Sequence, residues 1–230
     1  MKDPNLHWRD RIGMVLRDNR RMIAAELLVL TILQVLHALQ IISAAVIYIF
    51  AIGWFSLWLR RSGWRQLGLR RPANWPATIG FGTVAGLVYQ AVSIWLVVPW
   101  LSQLTNEPLD LTQFAPLEHN LPLLILWLTI TWTVAAFAEE LVYRGYLLNR
   151  VADLFGQGRA GWAIGLIGSS ALFGCGHAYQ GITGILETFL FGCLMAGLYL
   201  TGRRNLWLPI IAHGVYNSAA FVLIFLGLVP

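Results

Sequence analysis

The chain contains an apolar stretch that is too long for a single membrane crossing. Residues 22–59 are 38 consecutive positions that include one acidic side chain, Glu26, and no Lys or Arg. As one helix they would extend roughly 57 Å, whereas the hydrocarbon core of a bilayer is roughly 30 Å thick. We therefore expect a hairpin of two membrane-spanning helices.

Similar apolar segments recur along the rest of the sequence. Hydrophobic residues make up 57% of the chain and charged residues only 12%, against about 25% charged in an average soluble domain. The alternating pattern of a membrane β-barrel is absent from the sequence. We expect an all-α, polytopic transmembrane helical bundle that forms a single integral membrane domain over 1–230. The spans at 22–119 carry no motif, and the polar motifs described below lie at 120–220.

The positive charges predict about seven crossings. After the hairpin, the expected spans are 78–101, 121–141, 161–177, 184–201 and 206–228. With these spans, all 16 Lys and Arg residues lie on or near one side of the membrane. The positive-inside rule identifies that side as the cytoplasmic one. We therefore expect a cytoplasmic N-terminus, a C-terminus on the outer side, and residence in the plasma (inner) membrane.

The first 21 residues form a basic segment with helical periodicity. Trp8 and Ile12 lie at helical spacing opposite Arg9 and Arg17. This pattern is typical of a helix that lies on an anionic leaflet, and a disordered basic tail is the alternative. We expect an interfacial helix within 1–21 and membrane lipid as a partner.

The first polar motif is an acidic pair followed by an arginine. Glu139 and Glu140 end an apolar run, and two adjacent carboxylates are costly there unless they are paired. The spacing of four puts Glu140 and Arg144 on one helical face, where an ion pair offsets their desolvation. Glu139 points about 100° away and stays free. A helix end in the headgroup region, with ordinary surface charges, is the plainer interpretation.

Two later apolar segments each carry one further polar motif. His177 follows Phe173 by one helical turn, and His213 precedes Asn217 by the same spacing. The second pair presents two hydrogen-bonding groups on one side of a helix, as the stabilisation of one oxyanion requires. Either motif alone is equally compatible with hydrogen-bonded structural residues.

Taken together and in this order, the three motifs resemble those of the CAAX prenyl protease and bacteriocin-processing family of intramembrane endopeptidases. The resemblance covers about residues 120–220, and it implies that this segment is the catalytic core. The sequence departs from the family pattern at Tyr143, where Phe is more usual, and we expect no consequence. The residues that carry the resemblance are Glu139, Glu140, Arg144, Phe173, His177, His213 and Asn217.

The resemblance implies a peptide hydrolase whose substrate is a membrane-associated or lipidated peptide. Glu139 and His177 would activate water, and His213 and Asn217 would stabilise the oxyanion. Glu140, Arg144 and Phe173 would support them. Nothing in the sequence indicates nucleic acid as a partner.

Other chemistries remain open on the sequence. We expect no cofactor, but Glu139, His177 and His213 would form a two-His, one-carboxylate zinc site with water as the fourth ligand. A proton-coupled transporter would use the same ionisable groups as a relay. A non-catalytic membrane scaffold of the same fold is a third possibility.

The expected spans place Glu139 near the cytoplasmic end of one helix and His177 near the outer end of the next. They can meet only if residues 145–165 dip into the membrane or form an amphipathic segment, and irregular backbone is tolerated there where it lines a wet cavity. Glu26, His37 and Glu187 lie in other apolar segments, and we expect them to be interfacial or hydrogen-bonded rather than catalytic.

Overall fold

The computed structural model describes residues 7–228 and is helical over 80% of the chain, without a β-strand in the described part. The expected all-α fold is confirmed. Residues 1–6, and with them Lys2 and the start of the basic segment, lie outside the described residues, as do 229–230. The helices are α1 (Trp8–Asp18), α2 (Arg20–Ala38), α3 (Ala45–Leu59), α4 (Trp75–Thr105), α5 (Leu121–Phe155), α6 (Arg159–Cys175), α7 (Gly181–Thr201) and α8 (Trp207–Phe225).

Every expected span coincides with a helix, but the count of seven crossings is not confirmed. Five helices are long and apolar enough to cross a membrane, namely α2, α4, α5, α7 with the 3₁₀ turn before it, and α8. The other two are shorter, 15 residues in α3 and 17 in α6. The chain is an integral membrane protein.

Helix α5 is much longer than expected. The span was expected to end near residue 141, whereas the helix runs 35 residues to Phe155, or roughly 52 Å. The charges that marked its end, Arg144 and Arg150, are 0% and 1% exposed. They are paired inside the protein with Glu140 and Glu26.

The acidic pair of α5, Glu139 and Glu140, lies between two π-helical segments, Thr131–Ala138 and Leu141–Leu147, and Arg144 lies in the second. A π turn leaves backbone carbonyl groups without their usual partners, and such turns are frequent at functional sites. Asn149 compensates, because its side-chain amide donates to the carbonyls of Arg144 (3.0 Å) and Gly145 (2.8 Å). Residues 140–150 are all buried, which puts this half of α5 at the centre of the bundle.

The two N-terminal helices, α1 and α2, pack against the C-terminal half of α5. Asn19 interrupts the expected helix and caps α2 through its side chain. Glu26 of α2 accepts from Arg150 Nε at 2.7 Å and from the Tyr146 hydroxyl, and Arg150 also donates to the Leu16 carbonyl. The expectation that Glu26 is hydrogen-bonded rather than catalytic agrees with this clamp.

Close packing of α4 against α8 depends on two glycines. A Cβ on Gly82 would lie 2.8 Å from Ile211, and one on Gly86 would lie 2.5 Å from the Ala212 carbonyl oxygen. Only residues without a side chain allow this approach. The contact fixes the segment of α8 that leads directly into His213.

Candidate active site

A buried network joins α5 to α8. Arg144 Nη1 donates to Glu140 Oε1 at 2.8 Å, and His213 Nδ1 lies 2.9 Å from the same oxygen. All three side chains are at most 3% exposed. Because a carboxylate paired with arginine can only accept, the His213 Nδ1 carries the proton of that bond. The expected Glu140–Arg144 ion pair is present, and Glu140 in addition orients His213.

Glu139 faces a different side of α5, as the helical geometry predicted. Its side chain is 18% exposed, and its Oε2 lies 3.9 Å from His213 Nε2. The imidazole of His213 therefore stands between two carboxyl groups, hydrogen-bonded to Glu140 and facing Glu139. Of the two, Glu139 is the one that solvent or a substrate can reach.

Aromatic rings line the network on the side of α6 and α7. The Phe173 ring lies 4.5 Å from the Arg144 guanidinium, 5.9 Å from the His213 ring and 4.9 Å from the His177 ring. Phe191 of α7 meets His213 edge to face at 4.9 Å. Phe173 thus has a contact with each of the other two motifs.

His177 lies at the end of α6, half-buried beside Phe173. Its Nδ1 is 3.0 Å from the Phe173 carbonyl oxygen, and a carbonyl only accepts, so Nδ1 donates and Nε2 keeps its lone pair. The segment 145–165 is helical apart from a short turn, because α5 continues to Phe155 and α6 begins at Arg159. The motifs converge instead because Glu139 is near the middle of α5.

Asn217 follows His213 by one turn of α8 and is half-buried. It makes no hydrogen bond within the described residues, so its amide is free to bind a ligand. Its neighbour Tyr216 is held firmly: the ring stacks on Phe191 at 4.4 Å, and the hydroxyl donates to Glu187 Oε1 at 2.9 Å.

Glu187 is more deeply buried than an interfacial residue, at 4% exposed. It accepts from the hydroxyls of Ser93 (2.8 Å) and Tyr216, so the expectation of a hydrogen-bonded residue agrees with the structure. His37, the third residue of that group, has its Nδ1 3.1 Å from the Ile42 carbonyl oxygen.

Sequence reasoning missed three side chains at this site. Trp132 lies against the backbone of α8, where a Cβ on Gly214 would come within 2.5 Å of its ring. Phe191 packs on His213, and Gln34 accepts a hydrogen bond from Tyr143. A single polar amide in the apolar run of α2 was the available signal for Gln34, whereas the two aromatic residues resemble their lipid-facing neighbours.

The zinc alternative requires three ligands in one place. Among residues 7–228, no group of three His, Cys, Asp or Glu side chains is arranged to hold a metal ion. Glu139 and His213 approach each other, but His213 Nδ1 is already bound to Glu140. This arrangement does not fit a two-His, one-carboxylate site.

The family model described as Type II CAAX prenyl endopeptidase Rce1-like matches residues 121–219. The matched segment, 99 of the 230 residues, is similar to that family. No curated protein and no solved structure matches the chain.

The matched segment begins with α5 and ends within α8. It contains all seven motif residues, and the resemblance read from them is confirmed. It leaves out α1 to α4, although α2 and α3 pack against its central helix. The one departure from the family pattern, Tyr143, has a contact that Phe could not make, since its hydroxyl donates to Gln34 Oε1 at 2.9 Å.

Proposed function

We propose that this protein is an intramembrane endopeptidase that hydrolyses a peptide bond in a membrane-associated or lipidated peptide. One observation carries the proposal: Glu139 and the Glu140–His213 pair, from helices far apart in sequence, converge inside the segment that matches the CAAX endopeptidase family model. The family match supports the reaction class, and the geometry supports the assignment of roles.

Glu139 is the proposed general base. It is the more accessible carboxyl of the acidic pair, and it has no arginine committed to it. It takes a proton from water while the water oxygen adds to the scissile carbonyl carbon. His177 assists, because its Nε2 keeps a lone pair that can accept a hydrogen bond from the same water.

Asn217 and His213 are the proposed oxyanion donors. The Asn217 amide N–H donates at every pH, and it has no competing partner in the described residues. His213 Nε2 donates only when the ring carries both protons, because Nδ1–H is committed to Glu140. When the tetrahedral intermediate collapses, the C–N bond breaks and the proton held by Glu139 passes to the departing amine.

Glu140, Arg144 and Phe173 are proposed to support the reacting groups without touching the substrate. Glu140 fixes the orientation of His213, and Arg144 balances the charge of Glu140. Phe173 packs on Arg144 and on both histidines. The catalytic core is therefore proposed to be 120–220, preceded by spans at 22–119.

The proposed setting is the plasma (inner) membrane, with the N-terminus cytoplasmic and the C-terminus outside. The charge distribution of the sequence supports this orientation. Helix α1 supports an interfacial role, because Trp8 and Ile12 are 54% and 43% exposed on a helix rich in arginine.

We propose that catalysis needs no cofactor, with zinc as the competing hypothesis. The test is cleavage of a panel of membrane peptides by the purified protein in liposomes, with and without a strong zinc chelator. Cleavage that resists the chelator supports the proposal. Cleavage that stops with the chelator and returns on adding zinc contradicts the cofactor-free mechanism.

The same liposomes separate an enzyme from a transporter. Asn217→Ala removes an oxyanion donor, which typically costs about 10²–10³-fold in turnover. A peptidase therefore loses cleavage in this variant. Proton flux across the liposome membrane that persists in Asn217→Ala, together with no cleavage by the wild type, would favour transport instead.

A further inference from the structure

Gln34 is a buried amide in the otherwise apolar middle of α2. Its side chain is 1% exposed, and a polar group in such surroundings costs free energy unless its hydrogen bonds are made. It lies outside the segment that matches the CAAX endopeptidase family. A polar residue buried inside a membrane helix calls for a functional explanation.

One end of this amide holds the first motif. The Tyr143 hydroxyl donates to Gln34 Oε1 at 2.9 Å, and Tyr143 is 4% exposed. Tyr143 directly precedes Arg144, and its ring meets Phe173 edge to face at 4.9 Å. The hydrogen bond therefore ties α2 to the centre of the motif helix.

The other end of the amide abuts the second motif. Gln34 Nε2 lies against Gly176, so closely that a Cβ at Gly176 would collide with it. Gly176 directly precedes His177, at the point where α6 ends. Gln34 Nε2 is also buried without a hydrogen-bond partner in the described residues, so its position is set by this packing and by the bond to Tyr143.

We propose that Gln34 is a positioning residue of the active site, which sets the distance between the Tyr143 turn of α5 and the turn that carries His177. The inference rests on the proposed function. It assigns the N-terminal hairpin a part in catalysis, and it gives Tyr143 a role that Phe could not fill. Gln34 itself touches neither water nor substrate, because both ends of its amide are enclosed.

The test is a double-mutant cycle with Gln34→Met and Tyr143→Phe. Both changes keep the shape of the side chain, and each removes the same hydrogen bond. Gln90→Met is the matched control, because Gln90 is also a buried glutamine with an unpaired amide oxygen, but it lies in α4 and makes no hydrogen bond to a motif residue in the described part of the chain. For each protein kcat, KM and the thermal midpoint are measured.

We expect each single variant to lower kcat about tenfold with KM changed less than twofold, and the double variant to be no worse than the poorer single one. Gln90→Met should lose stability without this drop in kcat. Losses that multiply to about 100-fold in the double variant overturn the proposal. So does a loss in Gln34→Met that equals the loss in Gln90→Met.

Gly176→Ala provides a second approach to the same contact. The added methyl group displaces the Gln34 amide, so we expect the kcat of Gly176→Ala to fall as in Gln34→Met, and the effect to shrink when both changes are combined. If the wild type cuts no peptide, the proposed function fails. Coupling between Gln34 and Tyr143 in thermal unfolding then tests the contact separately, and additive midpoints overturn it.

Discussion

Glu140 and His213 share a hydrogen bond of 2.9 Å although 73 positions separate them. The bond fixes which imidazole nitrogen faces the reaction site, because Nδ1 donates to Glu140 and leaves Nε2 toward Glu139. The two glutamates of the acidic pair therefore have different tasks. Glu140 belongs to the buried framework with Arg144, and Glu139 is available for chemistry.

The first prediction concerns this framework. Glu140→Gln leaves the Arg144 guanidinium buried without a counter-charge, which typically costs about 3–5 kcal/mol in unfolding free energy. Denaturant unfolding in detergent micelles measures this change in unfolding free energy. Glu118→Gln is the control, since its side chain is 58% exposed, and we expect a change within about 0.5 kcal/mol. Equal stability of the two variants would contradict the buried pair.

The second prediction concerns the backbone beside His213. Gly214→Ala adds a methyl group that would lie 2.5 Å from the Trp132 ring, so α8 or the ring must shift. Since misplacing a catalytic group by about 1 Å can cost about 10²-fold, we expect at least a tenfold loss of kcat. Gly197→Ala is the control, because a Cβ there meets nothing within 4 Å. A Gly214→Ala enzyme as active as this control would show that the packing is not tight.

The third prediction concerns the clamp between α2 and α5. Arg150→Met leaves Glu26 without its arginine, and we expect a loss of about 3–5 kcal/mol. Removing both charges, as Glu26→Met with Arg150→Met, should restore part of that loss because no unpaired charge remains. Unfolding midpoints of the wild type and the two variants decide the point, and a double variant less stable than Arg150→Met would argue against the ion pair.

The positions of the apolar helices could be predicted from hydropathy and length, although the count of seven crossings is not confirmed. The residue at which α5 ends could not be predicted in this way. Arg144 and Arg150 looked like cytoplasmic flanking charges, and a sequence does not reveal that Glu140 and Glu26 neutralise them inside the bundle.

The site was predicted in the same uneven way. Spacing of four identified the Glu140–Arg144 pair and the free orientation of Glu139, because helical geometry is local. The contact of Glu140 with His213, and of Gln34 with Tyr143, joins residues 73 and 109 positions apart. Such contacts depend on how the helices pack. The sequence does not reveal that Gly82, Gly86 and Gly214 lie where a side chain would collide with a neighbouring helix.

The fourth prediction concerns Glu187, the buried carboxyl that supports Tyr216. Glu187→Gln keeps an acceptor for the Ser93 and Tyr216 hydroxyls, so we expect a small effect on stability. Glu187→Leu leaves two buried hydroxyls unpaired, at about 1–3 kcal/mol each. Thermal unfolding distinguishes them, and a leucine variant as stable as the glutamine variant would mean that these hydrogen bonds contribute little.

The most direct test of the account compares cleavage of a membrane peptide by the wild type and by Glu139→Gln in the same liposomes. The amide has the shape of the carboxylate but cannot take a proton from water, and loss of a general base typically costs about 10²–10⁴-fold. We predict that Glu139→Gln folds with the thermal midpoint of the wild type and that its kcat falls at least 100-fold. A folded Glu139→Gln variant that cleaves at the wild-type rate would contradict the assignment of Glu139 as the catalytic base.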